Sequence, residues 1–138
     1  MHPQSSSGFR EIAHTADWEL EVWAPDLITL LSQAARGMYQ LTGMELSSKP
    51  RVSRLITLQK KDPETMLIDF LNELLYLVDS ENLAFDHFDL QFKNDQLNGQ
   101  VDGAKIASIQ KEIKAATYHN LIINQTGQGL ITKIVFDV

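Results

Sequence analysis

The sequence predicts an α+β fold in a single domain: a largely antiparallel or mixed β-sheet with two main helices packed on one face. Three observations carry that reading. Two stretches place apolar residues at helical spacing, each opened by an aspartate where a helix needs a cap. Around them run segments of apolar/polar alternation, the pattern of half-buried strands. The order along the chain is strand, helix, strand, helix, then four strands in succession, and helices packed on a sheet are the economical way to bury such a set. At 138 residues, 43% of them apolar, the chain fits one domain with a sizeable core.

Met1 to Gly8 is Ser-rich and without periodicity, so residues 1–8 read as a flexible tail and 9–138 as the domain. From Trp18 to Ala24 the residues alternate, with Trp18, Leu20, Val22 and Ala24 on one face and Glu19, Glu21 and Trp23 on the other. Pro25-Asp26 stops this strand, and Asp26 is placed to cap a helix in which Leu27, Leu30, Leu31, Ala34, Met38 and Leu41 share a face. Thr42-Gly43 ends the helix, and a polar loop to Pro50 leads into a strand near Val52 to Gln59.

Asp62 and Pro63 open the second helix as cap and first helical residue. Its apolar face is Met66, Leu67, Phe70, Leu71, Leu74, Leu75 and Val78. Asp69, Asn72, Glu73 and Tyr76 form one polar stripe, which serves either as a solvated face or as a docking stripe for a partner. His87 to Phe92 alternates, Asn94-Asp95 turns, and Leu97 to Gly103 alternates back, which makes a hairpin. Two strands close the chain, Ile113 to Ile123 and Leu130 to Val138, joined through Gly127-Gln128-Gly129.

A net charge of −6 with no Lys/Arg block gives the surface little means of holding RNA or DNA by counterion release, so no direct nucleic-acid binding is expected. An acidic surface suits divalent cations or a basic protein partner better. The absence of cysteine excludes thiol catalysis and thiolate metal sites. No apolar run approaches the roughly 18 residues of a membrane span, and no signal-peptide core follows Met1, so a soluble, cytoplasmic protein is the expectation.

The last strand runs to the final residue, which fixes the terminal carboxylate of Val138 beside the side chain of Asp137. Two like charges so close require a proton, a basic partner or a bound cation. Lys133, four residues back and about 3.3 Å per residue along the strand, is too distant to neutralise them. Another part of the chain, or a metal ion, has to do so.

Four segments carry candidate chemistry: His14-Thr15-Ala16-Asp17, Asp69 to Leu77 in the second helix, Ile113 to Leu121, and Val135-Phe136-Asp137-Val138. Together, in this order and spacing, they resemble the archease family over about Phe9 to Val138. The resemblance implies a small, acidic α+β protein that assists RNA processing. It implies a non-catalytic partner of the GTP-dependent RNA-splicing ligase, which joins tRNA halves, promoting guanylylation and turnover of that ligase. An older proposal for the family, a chaperone of tRNA cytosine methyltransferases, is the alternative.

The family's calcium site, carried over residue by residue, falls on Asp17, Asp137 and Val138. Carboxylate oxygens are hard ligands suited to Ca²⁺ or Mg²⁺, and Asp17 could join the set if its strand neighbours the last one. The other reading of Asp17 is a turn residue ahead of a strand, and of Asp137 an exposed edge residue. His14 and His119 stand either as core histidines or as groups that orient a ligand carboxylate or touch the partner. His119 is expected on a strand face with Ala115, Thr117 and Leu121. Asp69, Asn72, Glu73 and the large Trp23 are candidates for partner contact. A metal-dependent hydrolase using His14 or His119 as base is the least supported reading, for want of a phosphate loop, a nucleophile motif or a zinc-binding histidine pair.

Overall fold

The computed structural model describes residues 6–12 and 18–138. Its elements run β1 (Gly8–Ile12), β2 (Trp18–Ala24), α1 (Leu27–Thr42), β3 (Glu45–Leu46), β4 (Val52–Gln59), α2 (Pro63–Glu81), β5 (Leu83–Lys93), β6 (Gln96–Ser108), β7 (Ala115–Thr117), β8 (Asn124–Thr126) and β9 (Gly129–Asp137). The α+β class is as predicted, and every strand pair is antiparallel. The strands divide between two sheets instead of joining in one. The first has the order β1-β2-β9-β7, with β8 also on β9; the second is built on the long β6, which pairs with β3, β4 and β5.

Both helices touch both sheets: α1 packs on β1, β2 and β5, and α2 on β7, β5 and β4. Each sheet therefore keeps helices on one face, as the alternation requires. In β2, Leu20, Val22 and Ala24 are buried against them, and their cross-strand partners Ile134, Thr132 and Leu130 lie on the same face of β9. This placement explains why α2 is more deeply buried than its sequence suggests. Ile68 and Leu77, outside the predicted apolar face, are buried along with Met66, Leu67, Phe70, Leu71, Leu74 and Leu75.

The helix boundaries follow the predicted chemistry. The Asp26 carboxylate accepts from the Thr29 N–H at 2.8 Å, and Asp62 from the Thr65 N–H at 3.0 Å. Gly43 ends α1 with φ of 65°, the left-handed conformation that glycine adopts without penalty. Asn82 ends α2 in the same region, its N–H donating to the Val78 carbonyl at 3.0 Å. The β5–β6 hairpin turns at Asn94 and Asp95, both at positive φ. Within it, a bulge between Phe85 and His87 leaves Asp86 out of the ladder, and a Cβ on Gly103 would collide with the Ala84 carbonyl opposite. The extruded Asp86 carboxylate is available to Arg51, whose Nη1 lies 3.0 Å away.

Two predicted boundaries need correction. Ser7 and Gly8, placed in the tail by composition, belong to the folded chain: the Ser7 hydroxyl accepts from Gln33 at 3.3 Å and Gly8 pairs with Trp23. Of the expected strand Ile113 to Ile123 only β7, Ala115–Thr117, is a strand; β8 forms after it, at Asn124–Thr126. Asn120 breaks the expected run with φ of 52°, and the Leu121 N–H closes a turn on the Tyr118 carbonyl at 2.9 Å.

Candidate metal centre

β9 is an interior strand, with β2 on one side and β7 and β8 on the other, so its end is held by two ladders. Phe136 pairs with both Trp18 and Ala116, and its ring is 1% exposed, which anchors the strand one residue short of Asp137. Asp137 pairs with Ala115, and its carbonyl accepts from the Lys114 N–H at 2.8 Å. Alternation then turns its side chain away from the helices, to the outer face, where the residue is exposed. Val138 follows at 37% exposure.

Asp17 and His14 lie outside the described residues. Their chain neighbour does not: Trp18, the residue after Asp17, pairs with Phe136, the residue before Asp137. The adjacency of the Trp18 strand and the last strand, on which the three-carboxylate reading depended, is thus present in the fold. Among the described residues, no three histidine or acidic side chains gather as a metal cluster.

Among the described residues, no nearby base solves the charge problem at the end of β9. Among the described residues, no ion pair joins Asp137 or the terminal carboxylate to a lysine or arginine. Lys133 pairs across the ladder with Glu21, a 6% exposed acid that also accepts from Arg10 Nε at 2.8 Å. The Lys111 ammonium sits 4.2 Å over the Trp18 ring, a cation–π contact that the sequence did not signal. A donor set of carboxylate oxygens is hard, and it fits Ca²⁺ or Mg²⁺ in chemistry.

The remaining candidate residues fall in different places. His119 is exposed, in the turn after β7, with its Nε2 3.3 Å from the Asn120 amide nitrogen. The β7–β9 register pairs Ala115 with Asp137 and Thr117 with Val135, so the chain is already leaving Asp137 when it reaches His119. The expected strand face shared with Leu121 does not form. Trp23 is half-buried, its indole covering Gly8 so closely that a Cβ there would lie 2.8 Å from the ring.

The polar stripe on α2 is mixed in role. Asp69 pairs with Lys61 at 3.1 Å, and Glu73 is half-buried. Asn72 does structural work: its amide group donates to the Ala116 carbonyl at 3.2 Å and accepts from the Ala116 N–H at 2.8 Å. The side chain thereby completes the open edge of β7 as a neighbouring strand would. No spacing in the sequence announces such a clamp, since Asn72 and Ala116 are 44 residues apart.

Comparison with known proteins adds a family. Residues 9–138 match the model of the archease protein family. A protein archease of Methanosarcina barkeri is 28% identical, with 97% of this chain and 99% of that protein covered. One of Saccharolobus islandicus is 32% identical, over 94% of this chain and 98% of that protein. A crystal structure from Thermotoga maritima, described as an archease and possible chaperone, superposes with a TM-score of 0.71 at 28% identity, covering 94% of this chain and 96% of its own.

Proposed function

The chain belongs to the archease family, and from that premise we propose that it is a non-catalytic, metal-binding protein cofactor that activates a basic, GTP-dependent RNA-splicing ligase. Asp17, Asp137 and the terminal carboxylate of Val138 would hold a divalent cation, calcium by family resemblance. The observation that carries this reading is the end of β9. Two ladders and a buried Phe136 hold Asp137 in place, the β2 register sets Trp18 against Phe136, and no basic side chain among the described residues neutralises the carboxylates. Rigid backbone around acidic groups of low mobility is what a cation site requires. A bound cation would supply positive charge that offsets the repulsion between these carboxylates. The chain's own contribution is to present that end, and an acidic surface, to one conformation of the ligase and so raise its population.

The deciding experiment is ligase guanylylation with and without this protein. Stimulation by the folded protein is expected, and none with a cognate ligase would sink the reading. The metal part has a separate test by calorimetric titration with Ca²⁺. Asp137→Ala should abolish binding, and one residue added after Val138 should weaken it at least tenfold. Wild-type affinity in both variants would place the cation elsewhere.

A chaperone for a tRNA cytosine methyltransferase is the second reading, favoured by the chaperone description of the Thermotoga relative. Co-purification separates the two, because the captured protein differs.

A further inference from the structure

Next to the end of β9 runs an open groove of about 660 Å³. One wall is α2, through Tyr76 and Asp79; the other is the connection from β6 to β7, through Ile109 and Glu112. Leu75 and Ile113 form an apolar floor, each 8% exposed. Hydrogen bonds tie the walls together at both ends. Asn72 grips Ala116 at one, and at the other the Asn82 amide donates to the Ile106 carbonyl at 3.2 Å while the Ile106 N–H donates to the Asn82 carbonyl at 2.9 Å. From Asn72 to Asn82 α2 rises about 15 Å, the span of about four or five extended residues.

Two features of the rim lack a partner within the described residues. Tyr76 is 61% exposed and Ile109 37%, which leaves an aromatic ring and a branched aliphatic flanking an apolar floor. Asp79 and Glu112 also line the groove, and neither forms an ion pair among the described residues. The two carboxylates outweigh Lys114, the one basic residue of the lining, and repel phosphate, so a nucleic-acid backbone is a poor occupant. They attract lysine or arginine.

We propose that this groove seats a short segment of the partner protein, with an apolar or aromatic anchor against Leu75 and Ile113 and a basic residue at Asp79 or Glu112. This rests on the reading that the chain docks on a basic protein, and it names the face that does so. Tyrosine suits such a contact, because a large, stiff ring loses little conformational freedom on binding. The groove also fixes a direction. Lys114 lines its Asn72 end and donates its N–H to the Asp137 carbonyl, so a segment seated there lies alongside the candidate metal centre. Groove and candidate metal centre thus meet at the Lys114-Ala115 segment, which borders both.

The test uses the full chain with the cognate GTP-dependent ligase as probe. It compares wild type, Tyr76→Ala, Tyr76→Phe and the double variant Asp79→Lys/Glu112→Lys. Ca²⁺ affinity should be equal in all four, which reports an intact fold and metal centre. The concentration giving half-maximal guanylylation should rise at least tenfold in Tyr76→Ala and in the charge reversal, with Tyr76→Phe close to wild type. If wild type stimulates and every variant matches it, docking lies elsewhere while the functional reading stands. If wild type neither binds nor stimulates the ligase, the functional reading falls and the groove assignment with it. A photoreactive p-benzoylphenylalanine in place of Tyr76 should capture the ligase polypeptide; capture of RNA instead would overturn the proposal.

Discussion

Asn72 illustrates how one side chain on a polar stripe can serve the interior. Its amide satisfies both the N–H and the carbonyl of Ala116 at the edge of the first sheet. Removing it leaves a half-buried backbone pair without partners, a loss of about 1–3 kcal/mol. Urea unfolding of Asn72→Ala should therefore show a lowered midpoint with an unchanged slope. Asp86 makes a smaller contribution with a clear pH signature. The Arg51 guanidinium, hydrogen-bonded to it, holds its carboxyl below the ordinary 3.8. A folded-state value lowered in this way stabilises the fold above the unfolded value and loses that effect as pH falls through the folded one. The pair is half exposed, so solvent screening keeps the effect small. Asp86→Asn should be less stable than wild type at pH 7, and the difference should fade as pH falls below the ordinary carboxyl range.

At the scale of elements, α2 organises the molecule. Contact with both sheets buries it well beyond one stripe, and Leu74 is 0% exposed at its centre. Leu74→Ala should cost about 2–5 kcal/mol, as cavity-forming substitutions do, measured by equilibrium unfolding. The hairpin of β5 and β6 depends on backbone approach more than on side chains. Gly103→Ala should destabilise because its new Cβ meets the Ala84 carbonyl, which the bulge cannot move without breaking ladder bonds. Exposed Gly127, with nothing near its Cβ position, is the control that should tolerate the same change.

The whole molecule carries a net charge of −6, and its two candidate surfaces, the end of β9 and the groove, meet at Lys114 and Ala115, which line the groove and bond to β9. Attraction between an acidic protein and a basic one acts mainly on the association rate. On the proposed docking to a basic ligase, raising salt from about 0.05 M to about 0.5 M should therefore slow association several-fold, because screening shortens the reach of surface charge. Dissociation should change less, since on that proposal it reflects apolar contacts in the groove. Stopped-flow binding at the two salt concentrations separates these.

Strand and helix positions were legible wherever the signal is local. The strand Trp18–Ala24, the strand Val52–Gln59, the Asp26 and Asp62 caps and the Asn94-Asp95 turn all depend on residues a few positions apart, and the structure has them where periodicity and capping chemistry put them. The apolar run Ile113 to Ile123 misled because pattern does not register a single left-handed residue, Asn120, that redirects the chain. The candidate ligands were legible only as types: the sequence determined that an aspartate, Asp137, closes the last strand. Only tertiary structure decided that β2 lies beside that strand, that Asn72 closes the edge of β7, and that Tyr76 faces Ile109 across a groove. The physical reason is the range of the interactions. Capping and alternation are set within one turn or one pleat, whereas sheet register and grooves come from packing between residues tens of positions apart.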